Sequence, residues 1–191
     1  MPRPDGNRAV EFPERRAEEV VDHAIGWLGS QSGEPFFLWT HVFDPHSPYD
    51  PPPPFREKYG GRLYDGEVAY TDRQLGRLFD TVARKAPLEE TLIVVMANHG
   101  ESLSDHGEFT HGVFLYDSTL RVPFLLAVGA SPPGPRVKQQ VRSVELLPTV
   151  LSLLDRGTPA IASPGFSSLG QIRFRVRVNF DNFGATTGGH R

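Results

Sequence analysis

The chain has 191 residues, enough for one domain with a hydrophobic core and too few for two comfortable ones. Its 38% apolar and 23% charged content is that of an ordinary globular protein, and a net charge of −3 leaves no electrostatic footprint for nucleic acid or an anionic membrane. No apolar run reaches bilayer-spanning length, residues Met1 to Asp5 have no signal-peptide core, and the lack of cysteine excludes disulfides, thiolate metal sites and a cysteine nucleophile from this sequence.

Residues 13–28 predict an amphipathic helix, with Ala17, Val20, Val21, Ala24, Ile25 and Leu28 on one stripe, Pro13 in the first turn and Gly29 as a stop. The nearly continuous apolar run from Pro35 to Phe43 predicts a strand buried on both faces, as in a parallel sheet. Asp50 to Pro54 is extended loop, because each proline also restricts the residue before it. A second helix is predicted over about 64–84, with Val68, Leu75, Leu78, Phe79 and Val82 inward and Asp65, Glu67 and Asp72 on a solvated face.

Thr91 to Ala97 is the clearest buried strand, and Val122 to Val128 a shorter one. A helix near 144–154 tolerates Pro148 because that residue lies close to its start. This order is α/β, with helices expected on both faces of a sheet. The chain divides into residues 1–160 and a tail, 161–191, that turns small and polar. Within that tail Ile172 to Phe180 alternates strictly, predicting a short antiparallel or edge strand. Gly184 to Arg191 is expected to be disordered.

Chemistry concentrates in the histidines. Five of the seven, His41, His46, His99, His106 and His111, lie between residues 41 and 111. Polar loops that happen to use histidine would account for any single one. His99 stands apart, because Asn98-His99-Gly100 follows directly on the apolar strand. It therefore sits at a strand's C-terminal end, the edge at which open α/β sheets bind ligands. An amide oxygen beside an imidazole nitrogen is a serviceable pair of donors for a divalent metal.

Asn98-His99-Gly100-Glu101 leads through Asp105-His106-Gly107 and Thr110-His111-Gly112 to Leu115-Tyr116-Asp117 and Arg121-Val122-Pro123. This stretch closely resembles the signature of the sulfatase family, part of the alkaline-phosphatase-like superfamily. Two further motifs agree in order. Pro45-His46-Ser47-Pro48-Tyr49 is similar to the family's Pro-His-x-Pro-Tyr/Phe loop, and Tyr64 to Asp72 is similar to its Tyr-x-x-x-Val-x-x-x-Asp helix. The resemblance covers roughly residues 10–158.

The resemblance implies a partial sulfatase-like catalytic domain over residues 1–160, with a sheet flanked by helices. It implies metal-dependent hydrolysis of sulfate esters, small-molecule or glycan, with calcium as the metal and a formylglycine nucleophile. Asn98 and His99 then stand where the family has metal-site residues, with Asn in place of the more usual Asp, which removes one negative charge from the site; the alternative for His99 is to face the leaving oxygen. His46 matches a histidine that contacts the sulfate and serves as general acid. His111 stands where many sulfatases have a sulfate-binding lysine, a role a histidine fills only while protonated. Arg121 is expected to pair with a carboxylate and hold the loop, His106 to lie at the surface, and His23 and His190 to carry no role.

The family's Cys/Ser-x-Pro-Ser-Arg motif does not occur. Ser131 to Arg136 has the wrong spacing and reads as a Pro-rich turn, and the N-terminal Asp-Asp metal pair is missing too. The resemblance thus implies a chain that begins inside the catalytic domain and is inactive alone. Alternative readings are a related phosphodiesterase, phosphonate hydrolase or phosphoethanolamine transferase fragment, or a non-catalytic remnant.

Overall fold

Two helices carry the core of this molecule, and the sequence stripe explains why. The structure, a computed structural model, describes residues 14–111, 114–129 and 137–154. Helix α1 (Ala17–Ser30) buries Ala17, Val21, Ala24 and Leu28, one residue per turn on one face. That face meets Leu78 and Val82 of a long helix over Leu63–Lys85, with Ile25 and Leu38 packed around the contact. Each fully buried Val or Leu here contributes about 1.5–3 kcal/mol. A short helix, α2 (Phe55–Tyr59), follows the proline run, and the long helix is therefore α3. Pro13, proposed for the first turn of α1, lies outside the described residues.

The rest is a small sheet with two helical pieces. Strand β1 (Leu92–Met96) pairs antiparallel with β2 (Phe124–Val128), Val94 opposite Leu126. Between them lies a one-turn helix, α4 (Asp117–Leu120), and after them α5 (Leu146–Leu153). Pro148 sits in the first turn of α5, where its missing N–H breaks no helical bond.

The α/β class and helices α1, α3 and α5 match the sequence reading; the short helices α2 and α4 fall where no helix is predicted, and three further details differ. The sheet is antiparallel and two-stranded among the described residues, and the described helices pack on one another more than on it. With both faces incompletely covered, β1 is half-buried along its length, although its apolar run suggested full burial. The run 35–43 forms neither helix nor ladder. Leu38, Thr40 and Val42 turn inward, while Phe37 and Trp39 are 83% and 82% exposed. An apolar run specifies extended backbone; only a neighbouring strand with free N–H and C=O groups turns it into sheet.

The inward face of α3 also departs from expectation. Val68 is exposed, whereas Glu67 is buried at 3% and Asp72 is half-buried. Burial raises the Asp72 carboxyl above the ordinary carboxylate range. The proposed strand 172–180 and chain end 184–191 lie outside the described residues. Among the described residues no helix is long and apolar enough to cross a membrane.

Candidate active site

Two loops converge near the C-terminal end of β1. The first runs from Asp44 to Pro54 and is docked at both ends. The Asp44 carboxylate accepts the Ala17 N–H at 2.7 Å, supplying a partner for the unsatisfied first turn of α1. Arg16 reaches back to the Asp50 carboxylate at 3.3 Å. From the opposite side the two oxygens of Glu67 accept the His46 N–H at 3.1 Å and the Asp50 N–H at 2.7 Å. The loop is thus held between the start of α1 and the second turn of α3.

The second loop, 98–111, is held by its own backbone. Gly100 donates to the Thr119 carbonyl at 2.7 Å, and a Cβ at Gly100 would lie 2.1 Å from the Ser118 carbonyl oxygen. Only glycine permits so close an approach of the loop to α4. Further along, Ser102 donates to Thr110 and Ser104 to Glu108, closing a tight turn. Leu103, Ser104 and His106 take left-handed φ values of 50°, 81° and 55° there. Such backbone costs about 1 kcal/mol or more per non-glycine residue and persists because the closing bonds over-determine it.

Together the loops gather three imidazoles. His99 and His111 stack with centroids 4.0 Å apart, and His46 meets His111 edge-on at 5.1 Å. Phe43 packs on His46 at 4.2 Å. The ring tautomers follow from the partners. Nδ1 of His46 faces the Ser47 carbonyl at 2.8 Å, and Nδ1 of His99 faces the Gly100 carbonyl at 2.9 Å. A carbonyl only accepts, so each Nδ1 carries the hydrogen and leaves Nε2 for other chemistry. His111 Nδ1 lies 3.3 Å from the Glu101 carboxylate, whose side chain is 5% exposed.

The Tyr49 hydroxyl is buried beside the Glu101 carboxylate. Burial first, and then the Glu101 carboxylate, push its phenol well above the usual tyrosine range. Tyr49 also meets Tyr64 edge-on at 5.5 Å.

Of the residues named from sequence, His46, His99 and His111 come together. Asn98 is exposed at the rim, its side-chain oxygen accepting the His99 N–H at 3.1 Å. Asn98 and His99 offer two neutral donors, whereas calcium takes about six to eight oxygens. Among the described residues no group of three His, Asp or Glu side chains is placed to hold a metal. These residues alone do not make a calcium site.

The remaining residues sort by burial. His106 is exposed and stacks on Tyr116 at 4.1 Å, in line with a surface role. His23 and His41 are exposed, and His190 lies outside the described residues. Arg121 pairs with Asp117 at 3.9 Å, but both side chains are more than 80% exposed, so the pair does little to hold the loop. Glu67 and Glu101 are the groups that sequence reading missed. Glu67 looked like part of a charged helix face, and Glu101 like one more polar loop residue. The only signal for either was an acidic residue among apolar or histidine-rich neighbours.

Comparison with known proteins identifies the family. Residues 3–156 match the Sulfatase family model. Escherichia coli YidJ, described as an uncharacterized sulfatase, is 25% identical over 219 residues, covering 88% of this chain and 43% of YidJ. Choline-sulfatase of Rhizobium meliloti is 32% identical over 112 residues, 59% of this chain and 19% of that enzyme. The crystal structure of YidJ from Bacteroides fragilis superposes with a TM-score of 0.66 at 19% identity, over 94% of this chain and 43% of that one, a likeness of fold. The chain spans less than half the length of these relatives.

Proposed function

The chain belongs to the sulfatase family, and from that premise we propose that it carries the histidine-bearing part of a site for hydrolysing sulfate esters. The observation that supports this reading is the meeting of His46, His99 and His111 from loops more than fifty residues apart in sequence. His46, with its Nδ1 hydrogen on Ser47, offers Nε2 to a sulfate oxygen or, when protonated, a proton to the departing alkoxide. His111 next to Glu101 takes the place of a cationic lysine and binds a sulfate oxygen as imidazolium.

Asn98 and His99 contribute two donors to a metal, calcium on the family pattern; among the described residues no group of three His, Asp or Glu completes the site. Bound there, the metal would draw charge from the sulfate oxygens. The Cys/Ser-x-Pro-Ser-Arg motif that would carry a formylglycine nucleophile does not occur in the sequence. Residues that act as a unit lose nearly all turnover when part of the unit is missing, so the chain alone is expected to be inactive. Residues 1–160 form the part that shares the sulfatase pattern; the end of the family match at 156 supports a boundary there.

Histidine resonances followed by NMR test the reading. Inorganic sulfate is expected to move the rings of His46 and His111. Rings indifferent to sulfate would overturn the assignment. Calorimetry with calcium tests the metal reading separately. Weak binding in the millimolar range is expected, and none at all would remove Asn98 and His99 from it. Release of phenol from an aryl sulfate by the purified chain, above the uncatalysed rate, would refute the expected inactivity.

A further inference from the structure

Glu67 lies on the second turn of α3 with its carboxylate turned inward, 3% exposed. A buried carboxylate needs partners for both oxygens, and here each oxygen has one. Oε2 accepts from the His46 N–H and Oε1 from the Asp50 N–H, at 3.1 and 2.7 Å. The two donors bracket the turn Ser47-Pro48-Tyr49. The same turn holds the His46 ring, because Nδ1 of that ring bonds the Ser47 carbonyl at 2.8 Å. The Glu67 carboxylate therefore grips the backbone at both ends of the segment that orients the imidazole.

We propose that Glu67 is a positioning residue for His46: its ionised carboxylate clamps the 46–50 turn, and the clamp slackens when Glu67 takes up a proton. Charge-assisted bonds to a carboxylate are roughly twice as strong as neutral ones, and a protonated carboxyl turns one acceptor oxygen into a hydroxyl. The groups facing Glu67 are Asp44, His46 and Asp50 of the loop, Tyr49 within it, and Arg16 at the head of α1. Burial pushes Glu67 up to about 7, with Asp44 adding to the rise, while the His46 N–H, Arg16 and the His46 ring pull the other way. The clamp is thus set near neutrality, unlike that of a solvent-exposed glutamate. Its existence stands on these distances; its value to catalysis rests on reading His46 as a sulfate contact.

The test follows the Asp50 amide of the 191-residue chain by NMR from pH 5 to 9, in the wild type, Glu67→Gln and Glu67→Ala. Asp50 serves as the main reporter because the His46 amide also senses its own ring. The wild-type Asp50 proton is expected to move downfield as pH rises, with a midpoint near 7, and to stay flat in Glu67→Gln. In Glu67→Ala, hydrogen exchange at Asp50 is expected to quicken about tenfold or more, the equivalent of one charge-assisted bond. An Asp50 amide that ignores pH, or titrates identically in Glu67→Gln, would overturn the proposal. Should Glu67→Ala fail to fold, the isosteric Gln variant still decides it. Added sulfate separates the two readings: a clamp that titrates around a His46 ring blind to sulfate overturns the substrate role and leaves the clamp standing.

Discussion

The two histidine loops are fastened in opposite ways. The 44–54 loop is held by side chains that reach it from helices, Glu67 from α3 and Arg16 from the head of α1. The 98–111 loop is held by its own backbone, through Gly100 against α4 and the Ser102–Thr110 closure, with Glu101 bracing His111 from inside. A side-chain anchor answers to protonation, whereas a backbone anchor answers to steric volume. The fastening of the first loop is therefore sensitive to pH and that of the second to bulk.

Glycine substitutions probe this contrast most strongly. Gly100→Ala forces a methyl against the Ser118 backbone, which cannot swing aside, and is expected to lower unfolding stability by about 3 kcal/mol. Gly66→Ala brings its methyl to 2.9 Å from the buried Pro51 ring and 3.4 Å from Tyr59 Cβ, a milder overlap than at Gly100, and should cost about 2 kcal/mol. Equal losses in denaturant melts would break the distinction between the loops.

Protonation is the next lever. Glu67 has its folded value raised from 4.5 to about 7, so the stability it contributes is complete below about pH 4.5 and is lost as pH climbs through 7. The loss amounts to at most about 3 kcal/mol, and Glu67→Gln should abolish it. Ionisation thus costs the fold as a whole while tightening the turn that the carboxylate grips. A wild-type melt as stable at pH 8 as at pH 5 would contradict the assignment.

Smaller effects should rank the remaining anchors. Glu67→Ala orphans two backbone N–H groups and should cost about 2 kcal/mol at pH 5, with a smaller loss at pH 8, where the charge it removes is a burden. Glu101→Gln keeps an acceptor for His111 but removes the charge, for an expected loss of about 1 kcal/mol in the same melts. Arg121→Ala should change stability by no more than about 0.5 kcal/mol, since its ion pair with Asp117 is long and exposed. A loss from Arg121→Ala larger than that from Glu101→Gln would overturn the view that buried contacts, and not surface pairs, hold the second loop.

Much of this was legible in the linear chain, and the remainder was not for identifiable reasons. Helical periodicity located α1 and α3, because a stripe every three to four residues has one way to be buried. The apolar runs located β1 and β2, and motif order brought His46, Asn98, His99 and His111 into one reading. The run 35–43 misled, because local pattern sets backbone extension but cannot say whether another strand is in reach. Glu67 misled for a related reason. Its charge suggested solvent, and the N–H groups that make its burial tolerable lie 17 and 21 residues away.

By itself, then, the sequence determined helices α1, α3 and α5, strands β1 and β2, the family pattern and the identity of the histidines. These depend on periodicity and spacing, which are local. Only the tertiary structure decided that three imidazoles share one pocket of space, that each Nδ1 of His46 and His99 is tied to a backbone carbonyl, and that Glu67 and Glu101 are the carboxylates beside them. Hydrogen bonds and desolvation act through space over a few ångströms, and folding alone sets which residues, distant in the chain, come within that reach.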